Sequence, residues 1–130
     1  MQRLVLLAFA AVSLLLASPA VHAAGQARYD QQAFTAAQAA GKPILIAVHA
    51  AWCQVCAKQE PIIDKLAATP EFNDLIVLVV DFDSQKDVVR SLGVQKQSTL
   101  IILRGQAERD RSTGVTDEAA ITALLRKANG

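Results

Sequence analysis

Two kinds of apolar pattern alternate along this chain. Ile44 to Val48 and Leu75 to Val80 are continuous apolar runs of strand length, as expected of central strands covered on both faces. Between them, from Cys53, the residues Val55, Ile62, Ile63, Leu66 and Ala67 recur at three- and four-residue steps, with Lys58, Gln59, Asp64 and Lys65 in the gaps. That period predicts an amphipathic helix in which Pro61, lacking an N–H, introduces a kink. Strand, helix and strand in this order make a parallel unit.

The flanking segments complete the pattern. Asp30 is placed to cap a short helix that Gly41-Lys42-Pro43 stops. After the second strand, Asp81-Phe82-Asp83 leads into a helix that Asp83 or Ser84 can cap and Gly93 can close. Thr99 to Leu103 and Ala107 to Ser112 flank Arg104-Gly105-Gln106 as a hairpin, and a last amphipathic helix covers about Thr116 to Ala128, with Ile121, Leu124 and Leu125 as its packing stripe. The predicted order is helix, strand, helix, strand, helix, hairpin, helix: an α/β fold with a central mixed sheet flanked by helices.

The N-terminus reads differently. Arg3, an apolar stretch from Leu4 to Ala17 and the small-x-Ala site Val21-His22-Ala23 have the layout of a secretory signal, expected to be cleaved after Ala23. The stretch is shorter than the roughly 20 residues of a spanning helix, which disfavours a retained membrane anchor without removing that alternative. Residues 24–130 then suffice for one domain. Loss of Arg3 from a chain with 13 Lys and Arg against 12 Asp and Glu leaves the remainder balanced, with no basic face for a nucleic acid.

The candidate chemistry lies in Trp52-Cys53-Gln54-Val55-Cys56, which holds the only two cysteines. Cysteines at i and i+3 share a face of a helix's first turn, close enough for a sulfur–sulfur bond to form and break without rebuilding the backbone. A permanent staple is the alternative in an exported protein, but so short a loop removes little chain entropy. Cys53, at a helix N-terminus, is the candidate nucleophile and the sulfur expected to be exposed; Cys56 is the candidate resolving thiol. His49 either tunes Cys53 or is an ordinary strand-end histidine. Asp81 and Asp83 read as strand-end and capping residues. A different class of function is also open: two thiolates with His49 suit a soft ion such as Cu(I), whereas a closed zinc site lacks ligands.

With these motifs in view, the chain resembles the thioredoxin superfamily over essentially all of residues 24–130. The resemblance rests on Trp52-Cys53-x-x-Cys56 at a strand-to-helix junction, Pro61-Ile62-Ile63-Asp64-Lys65-Leu66-Ala67 at the family's distance from the first cysteine, Leu92-Gly93-Val94 before Ser98-Thr99-Leu100-Ile101-Ile102, and Gly114 ahead of the final helix. It implies a thioredoxin fold and thiol–disulfide exchange with protein disulfides, without a cofactor or resident metal. Trp52 is then expected to offer an apolar docking surface. Gln97 and Ser98 occupy the substrate-binding position ahead of the Thr-Leu strand.

Three departures from the family stand out. Ser98 replaces the family's cis-proline; a cis bond before a non-proline residue costs about 3–4 kcal/mol, so a trans Gln97–Ser98 peptide is expected. Ala47 and Val79 stand where thioredoxins carry a buried aspartate and its lysine partner. Gln54-Val55 resembles the intervening pair of periplasmic reductase domains, and the superfamily's extremes differ by roughly 150 mV, about 7 kcal/mol. The expectation is therefore a monomeric, periplasmic or secreted oxidoreductase that acts as a reductant and is supplied by a membrane thiol-electron transporter. The alternatives are copper handling and a redox-inactive binding module.

Overall fold

The computed structural model describes residues 25–130; the expected signal segment, residues 1–23, lies outside them. Strands β1 (Gln26–Arg28), β2 (Pro43–His49), β3 (Ile76–Asp81), β4 (Thr99–Arg104) and β5 (Ala107–Thr113) alternate with helices α1 (Gln31–Ala39), α2 (Gln54–Ala67), α3 (Lys86–Ser91) and α4 (Glu118–Arg126). The strands form one sheet in the order β1-β3-β2-β4-β5. β1, β3 and β2 are mutually parallel, while β4 runs antiparallel to both β2 and β5.

Strand β2 is buried from Pro43 to Val48 because both faces of the sheet are covered. Alternation of side chains then divides its residues between two cores. Ile44, Ile46 and Val48 pack with Phe34 and Ala37 of α1 and Val89 of α3. Leu45 and Ala47 pack with Ile63, Leu66 and Ala67 of α2 and with Ile121, Leu124 and Leu125 of α4. β4 divides in the same way, with Leu100 and Ile102 toward α2 and α4 and Ile101 and Leu103 toward α1 and α3. Edge strand β5 instead carries charge, pairing Glu108 with Arg111 and Asp110 with Lys127, which blunts an edge that would otherwise template further pairing.

Local chemistry sets the element ends. Asp30 accepts from Ala33 N at 2.9 Å to cap α1, and Asp117 accepts from Ala120 N at 2.8 Å to cap α4. Gly105 turns the hairpin at φ +57°, where a Cβ would also come within 3.3 Å of the Gln38 carbonyl oxygen.

Several elements differ from expectation. β1 was not predicted, since Gln26-Ala27-Arg28 is too short and polar to show a period; it is held by its backbone pairing with β3. α3 begins at Lys86 with Gln85 as its uncapped N-cap residue, so neither Asp83 nor Ser84 caps it. As expected, a single helix, α2, spans Pro61, but its packing face differs. Its buried stripe is Cys56, Gln59, Ile63, Leu66 and Ala67, whereas Val55 is exposed. Gln59 is thus a core residue rather than part of the polar face.

Candidate active site

The end of β2 delivers the chain to Ala50, whose carbonyl accepts from Cys53 N at 3.0 Å and so closes a turn that starts α2 at the first cysteine. Cys53 is the N-cap of α2, and its own sulfur accepts from Cys56 N at 3.1 Å. A sulfur thereby takes the place that a Ser or Asp oxygen usually fills at a helix start, facing N–H groups that no backbone carbonyl can satisfy. The first turn holds no acidic residue to oppose negative charge there. Cys53 and Cys56 are joined as a disulfide, with Cα atoms 5.3 Å apart.

Both cysteines are buried, Cys53 to 4% and Cys56 to 2% exposure, packed with Ala50 and against Phe82. The expectation of an open first sulfur is corrected accordingly: capping draws Cys53 inward over its own helix. What stands open beside it is Trp52, 61% exposed, with Ala51, Gln54 and Val55 around it. The Trp52 indole is nevertheless fixed, since Nε1 donates to Asp83 Oδ2 at 2.8 Å. Asp83 is a site residue that the sequence reading treated only as a cap.

Asp81 organises the loop carrying Asp83. Its Oδ1 accepts from Ser84 N at 2.7 Å, Ser84 Oγ at 2.8 Å and Asp83 N at 3.1 Å. The Ser84 N–H and hydroxyl, with the Asp83 N–H and the nearby Arg28 charge, hold this carboxyl below the usual range against the cost of desolvation. His49 lies opposite Asp81 in register, and its Nε2 is 3.9 Å from Glu60 Oε2. With Gln26, Arg28, Glu60 and Asp81 it lines a surface cleft of about 320 Å³. Among the described residues no three His, Cys, Asp or Glu side chains gather to hold a metal ion.

The loop at Ser98 closes the site. The Gln97–Ser98 peptide is trans, and Ser98 has φ +57°, the only positive φ among the described non-glycine residues. Its N–H donates to the Val48 carbonyl at 2.8 Å, and Cys56 Sγ lies 3.8 Å from that same oxygen. A proline could supply neither that donor nor that φ. The Ser98 carbonyl accepts from Gly114 N at 3.0 Å and from Gln59 Nε2 at 3.2 Å. Of the predicted substrate-binding residues, Ser98 is therefore buried beside the pair, Gln97 is half-buried next to it, and Trp52 is exposed.

A mixed sheet with an i, i+3 cysteine pair at the N-terminus of a helix after a central strand defines a dithiol–disulfide redox protein. The chain matches the thioredoxin family over residues 25–127. It is 32% identical over 84 residues to a thioredoxin of Chlamydia trachomatis, spanning 65% of this chain and 80% of the relative. Among solved structures, Trxlp from Edwardsiella tarda superimposes with a TM-score of 0.76 at 42% identity, covering 78% of this chain and 98% of that one. Thioredoxin NaTrxh from Nicotiana alata does so with a TM-score of 0.68 at 26% identity, covering 75% and 83%. The chain belongs to the thioredoxin family, and its activity is that of a thiol–disulfide oxidoreductase.

Proposed function

We propose that the protein is an exported reductant of protein disulfides, with residues 1–23 as a cleaved signal and residues 24–130 as the working domain. The observation that carries the mechanism is the Cys53 sulfur at the α2 N-cap, where it accepts from Cys56 N. In the reduced protein the same N–H groups and the helix dipole favour a Cys53 thiolate. That thiolate attacks one sulfur of a partner disulfide; the partner's S–S bond breaks, its second sulfur leaves as a thiolate and takes a proton, and a mixed disulfide forms at Cys53. Cys56, deprotonated, then attacks Cys53 Sγ and expels the partner's first sulfur, which also ends as a thiol. Two electrons have passed to the partner, and the pair is left as the disulfide seen here.

With Ala47 and Val79 in place of a buried charge pair, the Cys56 proton passes to water without a carboxylate beneath it; the Val48 carbonyl oxygen lies 3.8 Å from that sulfur. Trp52 and Gln97, the latter carried by the loop that the buried Ser98 anchors, form the surface that receives the partner chain. The oxidised pair is restored by a dithiol donor, and outside the cytosol that role falls to a membrane thiol-electron transporter.

The test is trapping. Cys56→Ser incubated with insulin is expected to accumulate a mixed disulfide through Cys53 that added dithiothreitol releases, while Cys53→Ser accumulates none. Failure of both variants to trap would remove the exchange mechanism. Intact-mass measurement of the protein recovered from a bacterial periplasmic fraction, expected to begin at Ala24, tests export separately.

A further inference from the structure

We propose that Gln59 is a positioning residue that selects extended polypeptide disulfides over small ones, by clamping the Ser98 loop against the active-site helix. Gln59 is 3% exposed and lies on the apolar stripe of α2, one turn beyond Cys56. A buried side-chain amide on such a stripe costs stability unless its donors are satisfied. Both are: Nε2 donates to Val115 O at 2.8 Å and to Ser98 O at 3.2 Å. These carbonyls belong to two separate segments, and Gly114, the residue before Val115, donates to the same Ser98 oxygen.

The clamp acts on the one residue that needs it. An L-residue at φ +57° is disfavoured and persists only where its surroundings over-determine it. Ser98 is held at both ends, its N–H by Val48 O and its C=O by Gln59 and Gly114. Val48 O is also the oxygen beside Cys56 Sγ, so the loop's position sets the wall next to the inner sulfur. An apolar side chain of the same length would pack equally well in the stripe; what it would not supply is the placement of this wall. A polypeptide that must lie along Gln97, on the loop that Ser98 anchors, feels that placement, whereas a small disulfide needs only the sulfur.

This inference rests on the exchange reading above, and its test separates the two. Gln59→Met keeps the length and removes both donors. On insulin its KM is expected to rise at least fivefold with kcat within twofold, while kcat/KM on oxidised glutathione stays within twofold of the wild type. Gln59→Glu, which turns two donors into acceptors facing two carbonyls, is expected to give the same split. Amide hydrogen exchange at Ser98 and Gly114 is expected to be at least tenfold faster in Gln59→Met. Unchanged KM on insulin, or equal losses on both substrates, would overturn the proposal. A wild type inactive on both substrates would instead sink the exchange reading, and unchanged protection at Ser98 and Gly114 in the variant would still overturn the clamp. Should neither variant fold, a wild-type Ser98 amide exchanging as fast as an open loop has the same consequence.

Discussion

Reducing the Cys53–Cys56 disulfide is expected to destabilise the protein by about 1 kcal/mol, and the sign of that change reports the direction of electron flow. The bond closes a loop of about four residues. On the chain-entropy relation, cross-linking so short a loop stabilises the fold by about 2 kcal/mol at 25 °C through the unfolded state. Against this, reduction frees a Cys53 thiolate at the α2 N-cap, where the dipole and the Cys56 N–H favour charge by about 0.3–1 kcal/mol relative to the unfolded chain. The Cys56 thiol stays buried with Val48 O as its available acceptor. The difference leaves the oxidised form ahead by about 1–1.5 kcal/mol. By the cycle linking folding to reduction, the folded disulfide is then harder to reduce than the unfolded one by roughly 20–30 mV.

Urea unfolding at pH 7 with and without excess phosphine reductant measures this without any mutation. The single tryptophan, Trp52, sits beside the pair and reports locally, so far-UV circular dichroism is needed as the global probe. With a slope of about 1–1.5 kcal/mol per molar urea, the reduced midpoint is expected to lie roughly 1 M lower. A reduced form more stable than the oxidised one would refute the reasoning, because stabilisation of the reduced state is what makes a strong oxidant. The proposed role as a reductant would fall with it.

Two further outcomes follow from the geometry. Asp81, Glu71, Glu108 and Asp110 all titrate below the usual carboxylate range, Asp81 through Ser84 and the others chiefly through hydrogen bonds from Arg126, Arg111 and Lys127 respectively. Folded values below unfolded ones mean that their contribution is full above about pH 4 and is lost as pH falls through the depressed values; the melting temperature is expected to be flat from pH 5 to 7 and to drop below pH 4, with a smaller drop in Asp81→Asn. Ser98→Pro removes the N–H that bonds Val48 O and forces φ away from +57°, so restoring the residue usual in the family is expected to cost about 2–4 kcal/mol in urea unfolding; a neutral result would show that the loop does not depend on this bond.

Much of the architecture was legible because burial on both sides of β2, β3 and β4 leaves unbroken apolar runs and because Asp30 is an ordinary cap. The pair at Cys53 and Cys56 was legible from spacing alone. β1 was not, since three residues held by backbone bonds leave no side-chain period. Nor were the contacts that join distant segments. Asp83 passes for a cap in a row of polar residues, yet it holds the Trp52 indole 31 residues away. Gln59 passes for surface because glutamine usually is, although its position three residues after Cys56 and four before Ile63 puts it on the buried stripe.

The Ser98 departure shows why such contacts escape a linear reading. Read singly, a serine in place of proline is a loss of rigidity. In the fold it is a gain of one donor, and that donor is spent on the carbonyl beside Cys56. A positive φ then has to be held from the carbonyl side, and the side chain that does so, Gln59, lies 39 residues earlier on a different element. Neither residue explains the other in sequence. Together they account for a trans loop standing where the family places a cis one, and they make the two substitutions interdependent: Gln59→Met and Ser98→Pro act on opposite ends of one residue, so their combined effect on stability should be less than the sum of the two.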